Sequence, residues 1–222
     1  MKKAVVLLSG GLDSTTTLYW ARKKGYKCWC LIFDYGQKHR KEILSAKKIA
    51  EKTNSSFKVI KIDFPWKGSA LTDKNVSIPE NRSILLMKKS IPATYVPARN
   101  IIFISFAVSF AEVIGASRIF IGANAIDFSG YPDCRPEFFK AFSKAISKGT
   151  KRGNKIKIEV PFLYYTKAKI VKVGISLSVP FELTWSCYKG KSRPCRKCDS
   201  CLLRKKGFKE AGIKDPLLTK HR

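Results

Sequence analysis

Near the start of the chain, Leu8-Ser9-Gly10-Gly11-Leu12-Asp13-Ser14-Thr15 gathers three hydroxyls, two glycines and one carboxylate into eight residues. An apolar run, Ala4 to Leu8, precedes it and reads as a buried strand, and a helical stretch follows from Ser14 to Lys24. A Gly-Gly turn between strand and helix lets backbone N–H groups approach a ligand and sets a helix N-terminus beneath it. Those N–H groups and the helix dipole favour an anion, typically a phosphate. Ser9, Ser14 and Thr15 add hydroxyl donors, and Asp13 can hold a metal ion that accompanies polyphosphate. No Gly-Lys-Ser/Thr follows at the spacing of a Walker loop.

A second cluster lies near the other end, where Cys187, Cys195, Cys198 and Cys201 occupy fifteen residues with the spacing C-x7-C-x2-C-x2-C. Two consecutive x2 turns bring thiolates round a common centre, and Cys187 reaches it from across a loop. Four thiolates suit tetrahedral zinc and leave no open position for water, so the expected site is structural. Disulfides are the rival in an oxidising compartment. Iron–sulfur ligation is another, but the bacterial ferredoxin run continues to a further cysteine and proline, whereas Cys201 is followed by Leu202-Leu203-Arg204. Of the other cysteines, Cys28 and Cys30 share one face of a strand, and Cys134 lies in the stiff turn Tyr131-Pro132-Asp133-Cys134-Arg135-Pro136, where a nucleophilic role is open. With only two histidines, His39 and the near-terminal His221, histidine acid–base chemistry is not the expected theme.

The elements that must position these groups alternate regularly. Strands are expected at Ala4 to Leu8, Cys28 to Asp34, Phe57 to Asp63, Arg118 to Gly122 and Ile156 to Pro161. Helices are expected after Ser14, over Lys38 to Lys52, from about Arg99 to Gly115, near Pro136 to Lys148 and around Lys167 to Ser176. This alternation predicts an α/β fold: an open parallel five-stranded sheet with helices on both faces. Residues 1–183 form the expected main domain, interrupted over 64–94 by a flexible, partly disordered flap, and 184–222 form a small loop-rich cysteine appendage. Ligands of such sheets sit beyond the strands' carboxyl ends, where the strand order reverses. The phosphate loop, Asp34-Tyr35-Gly36-Gln37 and Gly122 to Asp127 should therefore converge, although Asp34 and Asp127 could merely cap helices.

Length and composition fit that picture. The chain has 222 residues, 45% of them apolar, which is enough for one full core. Ile101 to Ala111, the longest mainly apolar stretch, is far short of the roughly 20 residues that span a bilayer, so no membrane role and a cytoplasmic location are expected. The net charge of +28 would suit nucleic acid or a membrane surface, but lysines (33) far outnumber arginines (11) and are spread along the chain. A lysine-rich compositional bias accounts for this better than a dedicated surface.

The phosphate loop resembles that of the ATP pyrophosphatase (PP-loop) superfamily, which uses ATP to adenylate a carbonyl oxygen. Further stretches narrow the resemblance: Asp34-Tyr35-Gly36-Gln37-Lys38-His39, Val96-Pro97-Ala98-Arg99-Asn100, Asp127-Phe128-Ser129-Gly130-Tyr131-Pro132-Asp133-Cys134-Arg135, Thr184-Trp185-Ser186-Cys187-Tyr188 and Cys195-x2-Cys198-Asp199-Ser200-Cys201. Together, and in this order, they are similar to the 7-cyano-7-deazaguanine (preQ0) synthase family of queuosine biosynthesis. Arg196 stands where that family usually has glycine, and 64–89 carries little recognisable signal.

The resemblance implies an adenine nucleotide alpha hydrolase-like fold. It also implies ATP-dependent conversion of 7-carboxy-7-deazaguanine and ammonia to the nitrile through an acyl adenylate and an amide, a structural zinc ion and a homodimer. On that basis Leu8, Ser9, Gly10, Gly11, Leu12, Asp13, Ser14 and Thr15 would hold ATP and its Mg2+, with Phe33 and Asp34 at the adenosine. Arg99, Asp127, Tyr131, Asp133 and Arg135 would hold the substrate, and Asp13, Arg99, Asp127, Asp133 and Arg135 would serve catalysis. The exposed aromatics Phe138, Phe139 and Phe142 could cover a partner copy. Three competitors share parts of the pattern: a PP-loop enzyme acting on tRNA, a zinc-containing nucleic-acid binder, and a relative that attaches a deazaguanine to protein. The first two draw on the basic charge, yet nucleic acid is not required by any motif.

Overall fold

Strands buried on both faces of a sheet carry near-continuous apolar runs, and Ala4, Val5 and Val6 are fully buried in just this way. They belong to β1 (Lys2–Leu7), which leads through the phosphate loop into α1 (Leu12–Lys23) and on to β2 (Tyr26–Asp34). Next come α2 (Lys41–Lys52), β3 (Ser56–Lys61), α3 (Ile84–Lys89), α4 (Arg99–Ile114) and β4 (Arg118–Ile121). The chain closes with α5 (Pro136–Gly149), β5 (Lys157–Glu159), α6 (Lys167–Ser176), α7 (Asp199–Ala211) and α8 (Pro216–Thr219). The computed structural model describes residues 1–89, 91–126, 131–189 and 192–219, with backbone only at 88 and 89.

All five strands are parallel, in the order β3-β2-β1-β4-β5. In register, Leu7 stands beside Leu31 on one side and Ile121 on the other. Alternate side chains divide the core. Val5, Leu7, Leu31, Phe33 and Ile119 face Ile104, Ala107 and Val108 of α4 and Phe139 of α5. Ala4, Val6, Cys30 and Ile32 face Leu18 and Ala21 of α1 and Ala46, Ile49 and Ala50 of α2. Cys28 and Cys30 thus sit in the core, on one face. Strand order reverses between β1 and β4, so the cleft must open at the carboxyl ends of those two strands. There the backbone of Gly122 packs on Ser14, and a Cβ at 122 would stand 2.8 Å from the Ser14 backbone.

Three expectations need revision. The described residues of 64–94 do not hang as a loose flap: Phe64, Ala70, Leu71 and Met87 are buried, and Lys38 N–H donates to Leu71 O over 2.9 Å. The same segment reaches the cysteine loop, where Glu80 bridges Cys198 and Arg82 pairs with Asp199. The tail after Thr184 is not loop-rich either. It carries the 13-residue helix α7, whose Phe208 joins Phe162, Phe181 and Leu12 in a common core. The apolar pattern of α7 is hidden among lysines and arginines, because its buried Arg204 spends its charge on Asp215 at 2.7 Å. Finally, Phe139 is buried and Phe138 and Phe142 pack against the main core rather than offering a face to a partner. Among the described residues, no helix is long and apolar enough to cross a membrane.

Candidate active site

The loop after β1 is held by its own hydroxyls. Ser9 Oγ and Ser14 Oγ lie 2.9 Å apart, Ser9 N–H donates to Ser14 Oγ over 3.2 Å, and Thr15 Oγ1 donates to Gly11 O over 2.7 Å. Gly10 has φ +79°, and a Cβ there would meet the carbonyl oxygen of Glu42 at 2.3 Å, so both conformation and space demand glycine. Trp185 N–H donates to Gly10 O over 2.8 Å, tying the loop to the cysteine-bearing segment.

Leu8, Ser9, Gly11, Leu12, Asp13 and Ser14 line one cavity together with Phe33, Arg99 and Tyr131. Gly10 and Thr15 lie behind the loop and support it. Asp34 is outside the lining, where Arg40 Nη2 donates to its carboxylate over 2.5 Å.

Sequence reasoning missed Lys167. Its Nζ, at the start of α6, donates to both carboxylate oxygens of Asp13 over 2.9 and 2.6 Å. Its stem crosses α7 at Gly207, where a Cβ would stand 2.3 Å from Lys167 Cγ. In a chain so rich in lysine, nothing but the Thr166 N-cap beside it marks this one. A buried cation against the loop carboxylate suits the same polyanion that the loop's N–H groups favour.

The other end of the cavity is built from distant segments. Arg99 opens α4; its Nη1 donates to Tyr35 Oη over 3.3 Å, and its guanidinium lies 5.8 Å from the Tyr35 ring. Burial works against the Arg99 charge, but Tyr35, Tyr131 and Asp133 around it hold its pKa above the ordinary value. No carboxylate of the described residues comes within ion-pair distance of it. Tyr131 Oη lies 2.9 Å from Thr94 Oγ1 and bonds to Tyr188, and burial raises both phenols, which stay neutral. His39 and Glu42 also line this cavity, with His39 Nε2 3.0 Å from Glu42 Oε2.

Two expected substrate residues point elsewhere. Asp133 Oδ2 accepts the Asn100 N–H over 2.9 Å, capping the start of α4 from another segment. Arg135 is exposed at the N-cap of α5, outside the cavity lining. Asp127 lies outside the described residues. Cys134 lines the cavity, but burial pushes its thiol up to about 12, so at neutral pH it is protonated and a poor nucleophile.

The four C-terminal cysteines do converge. Their sulfurs all lie within 4.8 Å of one another, and Cys195 and Cys201 Sγ are 3.9 Å apart. A tetrahedron of Zn–S bonds near 2.3 Å sets sulfurs about 3.8 Å apart, so the cage has the right size. Backbone N–H groups of Cys195 and Cys198 donate to the sulfurs of Cys187 and Cys195, each over 3.3 Å, which favours thiolates. Hydrogen bonds from Cys198 and Cys201 hold Cys187 well below the usual thiol range, while its negative partnership pushes Cys198 up to about 12. Four thiolates this close need a cation among them, so the donor set fits a metal. Tyr188, next to Cys187, and Leu203, on the helix that carries Cys201, line the cavity, so the cage also shapes the far end of the site.

The family model described as "Queuosine biosynthesis protein QueC" matches residues 3–212. A 7-cyano-7-deazaguanine synthase of Thermoplasma volcanium is 56% identical over 219 residues, covering 97% of this chain and 90% of that one. The synthase of Picrophilus torridus is 56% identical over 220 residues (98% and 91% coverage), and that of Trichodesmium erythraeum 49% over 221 (97% and 100%). Among solved structures, a 4-thiouridine synthetase in complex with RNA and bound ATP superposes with a TM-score of 0.50 at 19% identity, over 94% of this chain and 53% of that one. This last likeness concerns the fold alone. With a family match spanning nearly every motif of the cavity and the cysteine cage, the chain belongs to the QueC family of queuosine biosynthesis proteins.

Proposed function

We propose that the protein is a 7-cyano-7-deazaguanine synthase, converting 7-carboxy-7-deazaguanine, ammonia and ATP to the nitrile. The observation that carries this is the shared cavity, with a polyanion loop at one end and, at the other, Arg99 with no carboxylate of the described residues within ion-pair distance. A carboxylate oxygen is a poor leaving group. Transfer of AMP to it makes a mixed anhydride, and the departing pyrophosphate must be held. The N–H groups of the loop, the Ser9 and Ser14 hydroxyls and Lys167 would hold it, and Asp13 would hold Mg2+ that travels with ATP; their shared cavity and mutual hydrogen bonds support this reading. Arg99 would neutralise the substrate carboxylate or the α-phosphate, and Tyr131 would contact the ring. Ammonia gives the amide, and a second activation of the amide oxygen lets it leave as the nitrile forms.

Zinc is the metal that the cage size and four sulfur donors favour, in a structural role. The outward face of α4 exposes Ile101, Phe106 and Val113, and a second copy of the chain would cover it to give a homodimer in the cytoplasm. The test is direct. Purified protein with ATP, Mg2+, ammonium and 7-carboxy-7-deazaguanine should yield a product with the nitrile's mass in the absence of RNA. ATP turnover that requires RNA would refute the assignment.

A further inference from the structure

His39 is only 2% exposed and lines the cavity, and its two ring nitrogens are in unlike situations. Nε2 meets Glu42 Oε2 at 3.0 Å. Nδ1 is shielded from solvent and has no hydrogen-bond partner, alone among the buried side-chain nitrogens and oxygens of the described residues. A buried polar atom left unpaired is costly, so a partner that arrives with the ligands would account for its being kept.

Its surroundings are rigidly specified. Gln37, 1% exposed, donates to Glu42 Oε1 over 2.9 Å and to Phe33 O over 3.0 Å, while its Oε1 accepts the Tyr35 N–H over 2.8 Å. These three bonds fix the amide, and the amide fixes the Glu42 carboxylate. A carboxylate can only accept, so Nε2 carries a proton, and in the neutral ring Nδ1 is the nitrogen with the lone pair. The His39 ring packs 5.5 Å from the Tyr188 ring, and Tyr188 bonds to Tyr131 beside Arg99. A carboxylate-oriented imidazole therefore lines the cavity on the Tyr188 side, the side on which the proposed function sets the substrate carboxyl group beside Arg99.

We infer that His39 is the catalytic base of amide formation, with Glu42 as its positioning residue. The inference rests on the synthase assignment above. As the nitrogen pair of ammonia forms the C–N bond at the acyl carbon, one of its protons passes to His39 Nδ1. The C–O bond to AMP breaks, and its electron pair leaves with AMP. Glu42 stabilises the resulting imidazolium through Nε2–H, and the proton then returns to solvent.

The test separates the two half-reactions in metal-replete, folded enzyme. Wild type should catalyse ATP–pyrophosphate exchange that depends on 7-carboxy-7-deazaguanine and needs no ammonium. H39Q should retain that exchange and still give hydroxamate with hydroxylamine, a stronger nucleophile that is unprotonated at neutral pH. Its ammonium-dependent kcat/KM should fall by on the order of 10²-fold or more. E42Q should lose the same step to a smaller extent, and it provides a second variant should H39Q fail to fold. If wild type shows no exchange, the synthase assignment itself fails. If exchange is intact and ammonium use is unchanged in the folded variants, or if exchange and ammonium use fall together, His39 is not the base.

Discussion

The two ends of the cavity are built on different length scales. At the phosphate end the hydroxyl bonds that shape the turn join residues no more than five apart, as with Ser9 and Ser14 or Thr15 and Gly11, and only the outer ties, from Trp185 to Gly10 and from Lys167 to Asp13, come from afar. At the acyl end the partners are far apart in sequence: Arg99 meets Tyr35 across 64 residues, and Tyr131 meets Thr94 across 37. The cysteine cage belongs with the second kind, because α7 and the Tyr188 segment that it anchors form part of that wall. A local turn keeps its shape as long as its strand and helix persist. A wall assembled from β2, α4 and the cysteine segment depends on the global fold and, in the proposed function, on the metal of the cage.

Removing the metal should therefore break the comparison most visibly. Structural zinc contributes on the order of 10 kcal/mol to folding, so chelation or Cys198→Ala should collapse the 184–219 region. Binding of the deazaguanine acid should vanish, while ATP, gripped by the locally held loop, should keep measurable affinity. Calorimetric titration of each ligand into apo and metal-replete protein, with metal content measured alongside, checks this. Equal loss of both ligands would show that the loop leans on the cage, through the Trp185 N–H bond to Gly10 O.

This division also explains what could be read from the sequence. The five strands, the phosphate loop and the cysteine cage were legible because period, turn chemistry and close spacing are local properties. Lys167 was not, since its partner Asp13 lies 154 residues away and one lysine among 33 carries no mark. His39 stood out in sequence only as one of two histidines, because the unpartnered Nδ1 that singles it out among the described residues is a property of the packed structure. The family resemblance assigns Asp133 to the substrate, yet its carboxylate serves the Asn100 N–H 33 residues away. The segment 64–94 looked unstructured because its buried positions follow no helical or strand period. It is held by irregular contacts to Lys38, Lys197 and Asp199.

The next effect falls at the phosphate end. Asp13→Ala removes the carboxylate that meets Lys167 and that would hold Mg2+. By comparison with other groups that stabilise transition-state charge, it should lower acid-dependent pyrophosphate exchange by on the order of 10²–10³-fold. The loop's own hydroxyl bonds remain, but a buried cation loses its carboxylate, so the melting temperature should fall as well. Unaltered exchange in a folded, metal-replete sample would remove the loop from the chemistry.

At the acyl end, Arg99→Lys keeps the charge but loses the planar fork and the stacking on Tyr35 and Phe103. Hydrogen bonds to charged groups are worth about 1.5–3 kcal/mol, so the KM for the acid should rise by roughly 10–10²-fold. The KM for ATP should barely move if Arg99 holds the carboxylate. A parallel rise in both would instead assign it to the α-phosphate, the one contact that the two substrates share.

The smallest effect sharpens the boundary of that end. Arg135 belongs to the motif that carries the family resemblance, yet its side chain is exposed, beyond the cavity lining, with no ion pair among the described residues. Surface substitutions of this kind stay within about 0.5 kcal/mol. Arg135→Ala should then leave both stability and steady-state constants near wild type, as thermal melting and the nitrile assay would record. A large loss of kcat/KM for the acid would mean that Arg135 swings inward when the acid binds. The acyl end would then be completed by its substrate, whereas the phosphate end is formed in advance by its own backbone.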